Sequence, residues 1–337
     1  MGTASAYHTA NLLPDGRVLI LGTSAVSSAV ELYDPRTGTF SPTGLPLTTR
    51  IGYSATTLSD GRVLITGGFT FSNDQPESLA SAEVYDPKTG TFGPTGPMTT
   101  AREYSSATLL SDGRVLVAGG SAGLGSPVLP SAELYDPKTG TFSATGSMTT
   151  ARAWQTATLL SDGRVLIAGG AAQMSGPPLA SAELYEPKTG TFAATGSMTT
   201  PQGGSTPTLL SDGQVLFAGG MDGTNYFASA ELYDPKTGTF AATGSMTTAR
   251  GGSTATLLSD GRVLVAGGSA SPVSPFLPSA ELYDPKTGTF GPTGSMTTAR
   301  IGSTATLLSD GRVLVAGGFT LSNGQGEATA SAELYQP

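Results

Sequence analysis

The chain has 337 residues with no Cys, one His and a formal net charge of −8, and only 12% of its residues are charged, about half the usual ~25% of a soluble domain. These counts exclude disulfides, thiol nucleophiles and cysteine-ligated zinc, and the acidic balance argues against nucleic acid as a partner. No run of about 18 apolar residues is present, so we expect no membrane span.

One sequence template recurs seven times along the chain. Its most constant part reads SDGRVLVAGG at Ser111–Gly120, Ser259–Gly268 and Ser309–Gly318, and its Asp-Gly pair returns every 45 to 52 residues. A fixed period of this length indicates a repeat architecture. We therefore expect a single domain, 1–337, made of seven repeats with approximate bounds 1–46, 47–97, 98–147, 148–197, 198–245, 246–295 and 296–337.

The elements follow the same order in every repeat. STATLL and RVLVAGG predict two short strands, A and B, AELYDP predicts strand C, and TFSATG predicts a weaker strand D. The Asp-Gly pair between A and B predicts a two-residue hairpin turn with positive φ at both residues, and DPKTGT predicts the turn between C and D. No stretch has the period of an amphipathic helix, so we expect an all-β fold.

Four strands per repeat with a double Gly after strand B are typical of a β-propeller blade. The chain resembles the kelch-repeat propeller family over its whole length, through the double Gly, the Tyr of LYDP, the aromatic residue of TGTF and the run MTTAR. The resemblance implies a seven-bladed β-propeller of four-stranded blades. The first repeat departs from the pattern with Leu21, Gly22 and Thr23 at the doublet, and Phe stands where the family usually has Trp.

The two ends of the chain bear on the last blade. Met1–Leu13 aligns with Met296–Leu308, inside a repeat, and the sequence stops after AELYQP, before a strand D. We expect blade 7 to have three strands, with unpaired backbone groups along Ala332–Tyr335 that invite self-association. A continuation of the repeat array beyond either end is the alternative.

Subtracting the template leaves few charged residues. In an antiparallel blade the A–B and C–D turns share one end, and the B–C and D–A loops share the other. All 17 basic residues occupy template positions, whereas five of the 25 acidic residues lie in the variable loops. These five are Asp74, Glu77, Glu103, Asp222 and Glu327. We therefore expect the non-template charges at the B–C and D–A loop end, and loops on a rigid scaffold are where binding usually occurs.

One template position, which we call the slot, alternates between Gly and an aromatic residue. It lies two residues after the Arg of TTAR. The slot residues in chain order are Tyr7, Gly52, Tyr104, Trp154, Gly204, Gly252 and Gly302. Exposed aromatic residues beside Arg are typical of recognition surfaces. Packing of these rings under the long B–C loops is the structural alternative.

These observations predict a ligand-binding site at the loop end, with no catalytic residue, metal or cofactor. Its predicted residues are Tyr7, His8, Arg50, Tyr53, Arg102, Glu103, Tyr104, Arg152, Trp154, Arg250 and Arg300. The structural alternative for the five Arg is a set of pairs with the Glu of SAEL, worth little if exposed. Ser5 and Gln202 replace Arg in the two remaining blades. For His8 the alternative is a hydrogen-bonded position in a channel wall.

The predicted function is a non-enzymatic binding module for a protein, peptide or carbohydrate, as the resemblance also implies. One alternative is a sugar-acting enzyme, because the kelch-like family includes a sialic acid mutarotase, and Arg102, Glu103, Arg152 and His8 would supply an anion clamp and an acid/base pair. The other is a purely structural repeat scaffold. Radical copper oxidases of the family need a Cys cross-linked to Tyr and several His, which this chain lacks. The absence of Cys and the few Lys favour a secreted or cell-surface bacterial protein.

Overall fold

The computed structural model describes residues 1–23, 28–201, 203–322 and 324–337. The described residues form strands and turns without a helix, so this part of the chain offers no helix that could cross a membrane. Their strands assemble into seven antiparallel sheets, six of four strands and one of three, together with two small hairpins. The prediction of an all-β, seven-bladed propeller with a three-stranded last blade is confirmed.

The chain divides into two compact units, which are described separately. The N-terminal unit comprises Asn11–Pro177 and Ala182–Ala194, and the C-terminal unit comprises Met1–Ala10, Pro178–Ser181 and Thr195–Pro337. Strands A, B, C and D follow one another across each four-stranded sheet, as predicted.

Blades 1 to 4 contain the strands β1 Thr9–Leu12, β2 Val18–Thr23, β3 Ser28–Asp34, β4 Thr39–Pro42, β5 Ser54–Thr57, β6 Val63–Thr66, β7 Phe69–Ser72, β8 Gln75–Ser78, β9 Ala82–Asp86, β10 Thr91–Pro94, β11 Ser106–Leu109, β12 Val115–Ala118, β13 Ser131–Asp136, β14 Thr141–Ser147, β15 Thr156–Leu159, β16 Val165–Ala168, β17 Ala182–Glu186 and β18 Thr191–Ala194.

Blades 5 to 7 contain the strands β19 Thr208–Leu209, β20 Val215–Ala218, β21 Ala230–Asp234, β22 Thr239–Ala242, β23 Thr254–Leu257, β24 Val263–Ala266, β25 Ala280–Asp284, β26 Thr289–Pro292, β27 Thr304–Leu307, β28 Val313–Ala316, β29 Phe319–Ser322, β30 Gln325–Ala328 and β31 Ala332–Tyr335.

Two B–C loops are hairpins that the sequence analysis treated as plain loops. They are β7–β8 in blade 2 and β29–β30 in blade 7. At the tip of the first hairpin Asn73 and Asp74 have φ of 50° and 60°, which is the geometry of a two-residue turn with a twist that suits antiparallel strands. Each hairpin therefore extends its blade at the loop end.

The Asp-Gly turns join strands A and B as predicted, but the predicted turn type is wrong. Gly16 has a positive φ of 85°, whereas Asp15 does not have a positive φ. The Gly16 amide donates to the Leu13 carbonyl (3.0 Å), and the Leu13 amide donates to the Arg17 carbonyl (2.8 Å). This is a three-residue loop, a type I turn followed by a glycine bulge. The Asp15 carboxylate accepts the Arg17 amide at 3.0 Å and thereby holds the turn.

The hydrophobic core lies between neighbouring sheets within each unit. Every residue of the B strands β6, β12, β16, β20, β24 and β28 is buried. One cluster joins Leu19 and Val30 of blade 1 to Ile65 and Tyr85 of blade 2. Full burial of such side chains contributes about 1.5–3 kcal/mol each. The core thus fixes the blades and leaves the loops free to vary.

Candidate functional site

The Arg of TTAR forms a buried cluster of bonds that we call the Arg clasp. In blade 3 a guanidinium nitrogen of Arg102 lies 3.1 Å from a carboxylate oxygen of Glu133. Arg102 also donates to the carbonyl oxygens of Gly119 (3.0 Å) and Ser131 (2.8 Å). The Glu133 carboxylate accepts the Thr99 amide at 2.7 Å. The clasp therefore ties the D–A loop to the double Gly and to the start of strand C.

The same clasp recurs in four other blades, with N–O separations of 2.6 to 3.2 Å. These pairs are Arg50–Glu83, Arg152–Glu183, Arg250–Glu281 and Arg300–Glu333. All five Arg residues are at most 1% exposed, so their guanidinium groups present no surface to a ligand. These are the Arg–Glu pairs of the structural alternative. Because the pairs are buried, loss of one partner should lower the stability of the fold strongly.

The clasp environment also shifts the pKa of three of the guanidinium groups. Burial lowers the pKa of Arg102, Arg152 and Arg250, and the facing carboxylate partly offsets this effect. Of the two blades without this Arg, blade 1 keeps the backbone contact, because the Gly318 amide donates to the Ser5 carbonyl at 2.9 Å. Gln202 lies outside the described residues.

Backbone hydrogen bonds join the slot positions of neighbouring blades into what we call a slot ladder. In the N-terminal unit the Tyr104 amide donates to the Gly52 carbonyl (2.7 Å), and the Trp154 amide donates to the Tyr104 carbonyl (3.1 Å). Gly52, Tyr104 and Trp154 have φ of 66°, 56° and 56°. For a bulky side chain this left-handed conformation costs about 1–3 kcal/mol. Tyr104 and Trp154 therefore hold a strained backbone that Gly adopts freely.

Tyr104 and Trp154 belong to a cluster of four rings, Phe69, Phe71, Tyr104 and Trp154, that we call the aromatic patch. The ring centroids are 5.0 Å apart for Tyr104 and Trp154, 6.1 Å for Phe69 and Tyr104, and 5.8 Å for Phe69 and Phe71, distances at which aromatic side chains interact. Trp154 is 43% exposed and Phe71 is 45% exposed. The patch therefore combines ordered contacts with accessible ring surface.

The sequence analysis left Phe69 and Phe71 out of the candidate site. The signal that could have found them is the run Phe-Thr-Phe, since alternate residues of a strand lie on one face. The structure places that face of β7 next to the slot residue Tyr104 of the following blade. The sequence analysis did not predict that this B–C loop forms a hairpin, in which β7 pairs with β8.

Glu103 precedes Tyr104 and differs from the Glu residues of the clasps. It is 6% exposed, and burial alone acts on its carboxylate and raises its pKa. Its backbone pairs with Ser121 of the next B–C loop, with the Glu103 amide donating to the Ser121 carbonyl at 2.9 Å. A buried carboxylate without a hydrogen-bonded or charged partner is unfavourable. No side chain among the described residues pairs with Glu103, but its carboxylate oxygens keep contact with solvent, which limits this cost.

Tyr53, Gln155 and His8 share the position after the slot and are all buried. The Tyr53 hydroxyl donates to the Leu21 carbonyl, and Gln155 Nε2 donates to the last carbonyl of β12 at 2.7 Å. His8 Nε2 lies 2.8 Å from Thr304 Oγ1. Burial lowers the pKa of His8 to about 4, so the ring is neutral at pH 7. Each of these side chains bonds to a neighbouring blade.

Tyr7 repeats the construction of the aromatic patch within the C-terminal unit. Its φ is 55°, its ring meets Phe319 of β29 edge-on at 5.1 Å, and it is 72% exposed. In each unit, therefore, a Phe of a B–C hairpin contacts an aromatic residue at the slot. Of the residues named for the enzyme alternative, Arg102 and Arg152 are bound in clasps, and His8 bonds to Thr304.

Clefts at the turn end repeat the template. One cleft of about 600 Å³ is lined by Asp212, Asp260, Arg262 and Lys286. Another of about 520 Å³ has the equivalent lining from other blades. The Arg and Asp of each Asp-Gly-Arg run pair at 2.6 to 2.7 Å. Because most blades repeat these groups, the clefts reflect the scaffold, whereas the aromatic patch occurs at one place in the chain.

Comparisons with known proteins support the architecture. The family model of the kelch motif matches residues 50–99, 104–149 and 207–247. The chain is therefore a β-propeller that carries kelch motifs in three places. No curated protein matches the chain. Among the solved structures that match is a fungal alcohol oxidase of the AA5 family in complex with copper, at 22% identity, with a TM-score of 0.76, covering 95% of this chain and 72% of the oxidase.

At this identity the likeness to the oxidase shows the fold alone. The donor groups of this chain do not fit a copper centre. Within the residues that the structure describes, no three His, Cys, Asp or Glu side chains come together in a way that could hold a metal ion. The chain has no Cys, and the Nε2 atom of its one His is hydrogen-bonded to Thr304.

Proposed function

We propose that this propeller is a non-enzymatic binding module, which takes a protein, peptide or carbohydrate at the B–C and D–A loop end through the aromatic patch. The observation that carries the proposal is the left-handed backbone of Tyr104 and Trp154. Strained backbone conformations persist where the surroundings enforce them and are concentrated at functional sites. Four other blades have Gly at the same position, so the fold does not require the rings.

The purely structural alternative explains the clasps and leaves the patch unexplained. Pairing of every Arg with a Glu, as in the clasps, is what a scaffold needs. Rings held on a strained backbone add about 1–3 kcal/mol of cost each, and part of the apolar surface of Trp154 and Phe71 remains in water. A ligand that covers Trp154 and Phe71 would bury the remaining apolar surface.

The binding test compares the protein with a Tyr104→Gly/Trp154→Gly variant on an array of glycans and peptides. We expect the wild-type protein to bind at least one ligand, and the variant to lose about 2 kcal/mol or more of affinity, since central aromatic residues dominate binding energies. Gly is the appropriate replacement because it suits the positive φ, whereas Ala would keep the strain.

The matched control is Val273→Ser, which removes another apolar side chain, 94% exposed, from a B–C loop of the C-terminal unit. It should bind as the wild-type protein does. Absence of any ligand, or equal binding by the wild-type protein and the double Gly variant, would overturn the proposal.

We also propose self-association through strand β31. Blade 7 has the order β27–β28–β31, and Leu334 of β31 is 40% exposed. Beside this strand lies a cavity of about 260 Å³, lined in part by Thr293, Met296 and Tyr335. In the other six blades the equivalent Tyr packs against a strand D Phe at 4.8 to 4.9 Å. Edges of this kind pair with further strands.

Appending KTGTFGPTGS after Pro337 supplies a strand D for blade 7. We expect the extended protein to have a higher melting temperature and a smaller apparent mass in size-exclusion chromatography at high concentration. A control extension with Ser in place of the Phe should gain less, because it cannot pack on Tyr335. Equal melting temperature and equal association for the extended and original chains would contradict this account.

A further inference from the structure

The charges around the aromatic patch are all of one sign. Every Lys and Arg belongs to the template. The six Arg residues of the Asp-Gly-Arg turns pair with Asp, the five of the D–A loops are buried in clasps, and the other six basic residues lie in the C–D turns. The variable loops contribute only carboxylates, and the patch hairpin carries two exposed ones, Asp74 and Glu77. The loops around the patch in the N-terminal unit therefore have an acidic field that favours a positively charged partner.

The rings of the patch are suited to a cation. Tyr104 and Trp154 lie 5.0 Å apart with an angle of 36° between their planes, and Trp154 is partly exposed. A guanidinium or ammonium group within about 6 Å of a Trp or Tyr ring is attracted to the ring face, and the attraction is about 0.5–2 kcal/mol depending on exposure. An Arg side chain can also stack its planar group on the ring.

Glu103 gives this surface a third carboxylate, with which no side chain of the described residues pairs and whose oxygens keep contact with solvent. Its neighbour along the chain is Tyr104, and its backbone pairs with the loop at Ser121. The equivalent positions in other blades hold uncharged residues, among them Ile51, Ala153 and Gly251. A ligand cation would supply the missing partner, which an acidic ligand could not. A neutral sugar would offer hydrogen bonds but would leave the charge unbalanced.

We propose that the aromatic patch together with Glu103 binds a basic peptide segment of a protein partner, with an Arg or Lys side chain of that segment lying against Tyr104 and Trp154 and pairing with Glu103. The inference rests on the proposed function and narrows it from any protein, peptide or carbohydrate to a cationic peptide. The free Arg side chains that would have favoured an acidic ligand are absent, since the clasps bind all five.

Trp154 is the one Trp of the chain, so its fluorescence reports on the patch directly. The probes are the octapeptide of four Gly-Arg repeats, its citrulline analogue, which keeps the shape and loses the charge, and maltoheptaose. We expect a saturable change of Trp154 fluorescence with the Arg peptide and at least tenfold weaker binding of the citrulline peptide. Added salt should weaken the binding of the Arg peptide and leave the binding of the citrulline peptide little changed.

The variant Glu103→Gln should bind the Arg peptide about tenfold more weakly, a loss of about 1.4 kcal/mol, with the citrulline peptide unaffected. The control Glu186→Gln removes one negative charge from a C–D turn of the same unit, where Glu186 accepts the Lys188 amide, and it should leave both affinities as they are. Circular dichroism of both variants verifies the fold.

Equal binding of the Arg and citrulline peptides, or no effect of Glu103→Gln, would overturn the assignment of a cation. If maltoheptaose or the citrulline peptide changes Trp154 fluorescence and the Arg peptide does not, the inference fails while the proposed binding function stands. If no probe changes the fluorescence, the inference fails, and the array experiment with the double Gly variant decides the binding function separately.

Discussion

The slot ladders of the two units share a backbone and differ in side chains. In the N-terminal unit the ladder consists of Gly52, Tyr104 and Trp154. In the C-terminal unit Gly204, Gly252 and Gly302 have φ of 67°, 66° and 63°, and the amides of Gly252 and Gly302 donate to the preceding slot carbonyls at 3.3 and 3.0 Å.

The difference shows that the ladder forms without rings. The same positive φ and the same hydrogen bonds are present where each slot residue is Gly, which pays no steric cost there. The rings of the N-terminal unit therefore need an explanation other than the fold. Gly52 shows the accommodation made for them, because a Cβ there would lie 2.7 Å from the Tyr104 ring.

The largest effect should come from the clasps, which are the same in both units. Arg102→Leu in the N-terminal unit and Arg250→Leu in the C-terminal unit should each lower the free energy of unfolding by about 3–5 kcal/mol, because each leaves a buried Glu without its partner. Urea unfolding measures this loss. Arg114→Leu is the control: its pair with Asp112 is partly exposed and should be worth about 0–1 kcal/mol. Similar losses for Arg102 and Arg114 would contradict a structural role for the clasp.

A second effect separates His8 of the C-terminal unit from Gln155 of the N-terminal unit, which occupies the same template position. The pKa of His8 is lowered from 6.5 to about 4 by burial. Between these values the unfolded chain binds a proton that the folded chain does not, so the free energy of unfolding should fall as the pH drops from about 6.5 to about 4, by about 3 kcal/mol in total.

The variant His8→Gln isolates this contribution, because Gln does not titrate and an amide already serves at this position in blade 4. The difference in unfolding free energy between the wild-type protein and His8→Gln should change by about 3 kcal/mol across that pH interval and be constant above pH 7. A difference that is constant from pH 4 to pH 8 would show that His8 protonates equally in both states.

The smallest effect is the most direct test of the ladder comparison. Gly302→Trp should cost about 1–3 kcal/mol from backbone strain, since a Cβ at Gly302 has open space around it. Trp154→Gly should change stability by only about 1 kcal/mol, because relief of strain offsets the lost ring contact with Tyr104. Thermal unfolding measures both. A loss of several kcal/mol for Trp154→Gly would assign the ring to the core.

Much of the fold followed from the repeat. The period of the Asp-Gly pair and the pattern of STATLL and RVLVAGG predicted the strands, because local turn chemistry and a continuous apolar run act over a few residues. The turn type was wrong, since Asp15 accepts the Arg17 amide through its carboxylate and leaves only Gly16 with positive φ. The hairpins β7–β8 and β29–β30 were missed because the residue pattern of these B–C loops did not show that the two halves of each loop pair with each other.

The sequence by itself determined the seven repeats, the three-stranded last blade and the variable position at Tyr104 and Trp154, because each depends on residue identity at fixed spacing. Only the tertiary structure decided that Arg102 is a buried clasp residue, that Tyr104 and Trp154 stand on a left-handed backbone, and that Phe69 joins them. These properties depend on which side chains contact each other across blades and on how much of each is buried. The spacing of residues along the sequence specifies neither the contacts nor the burial.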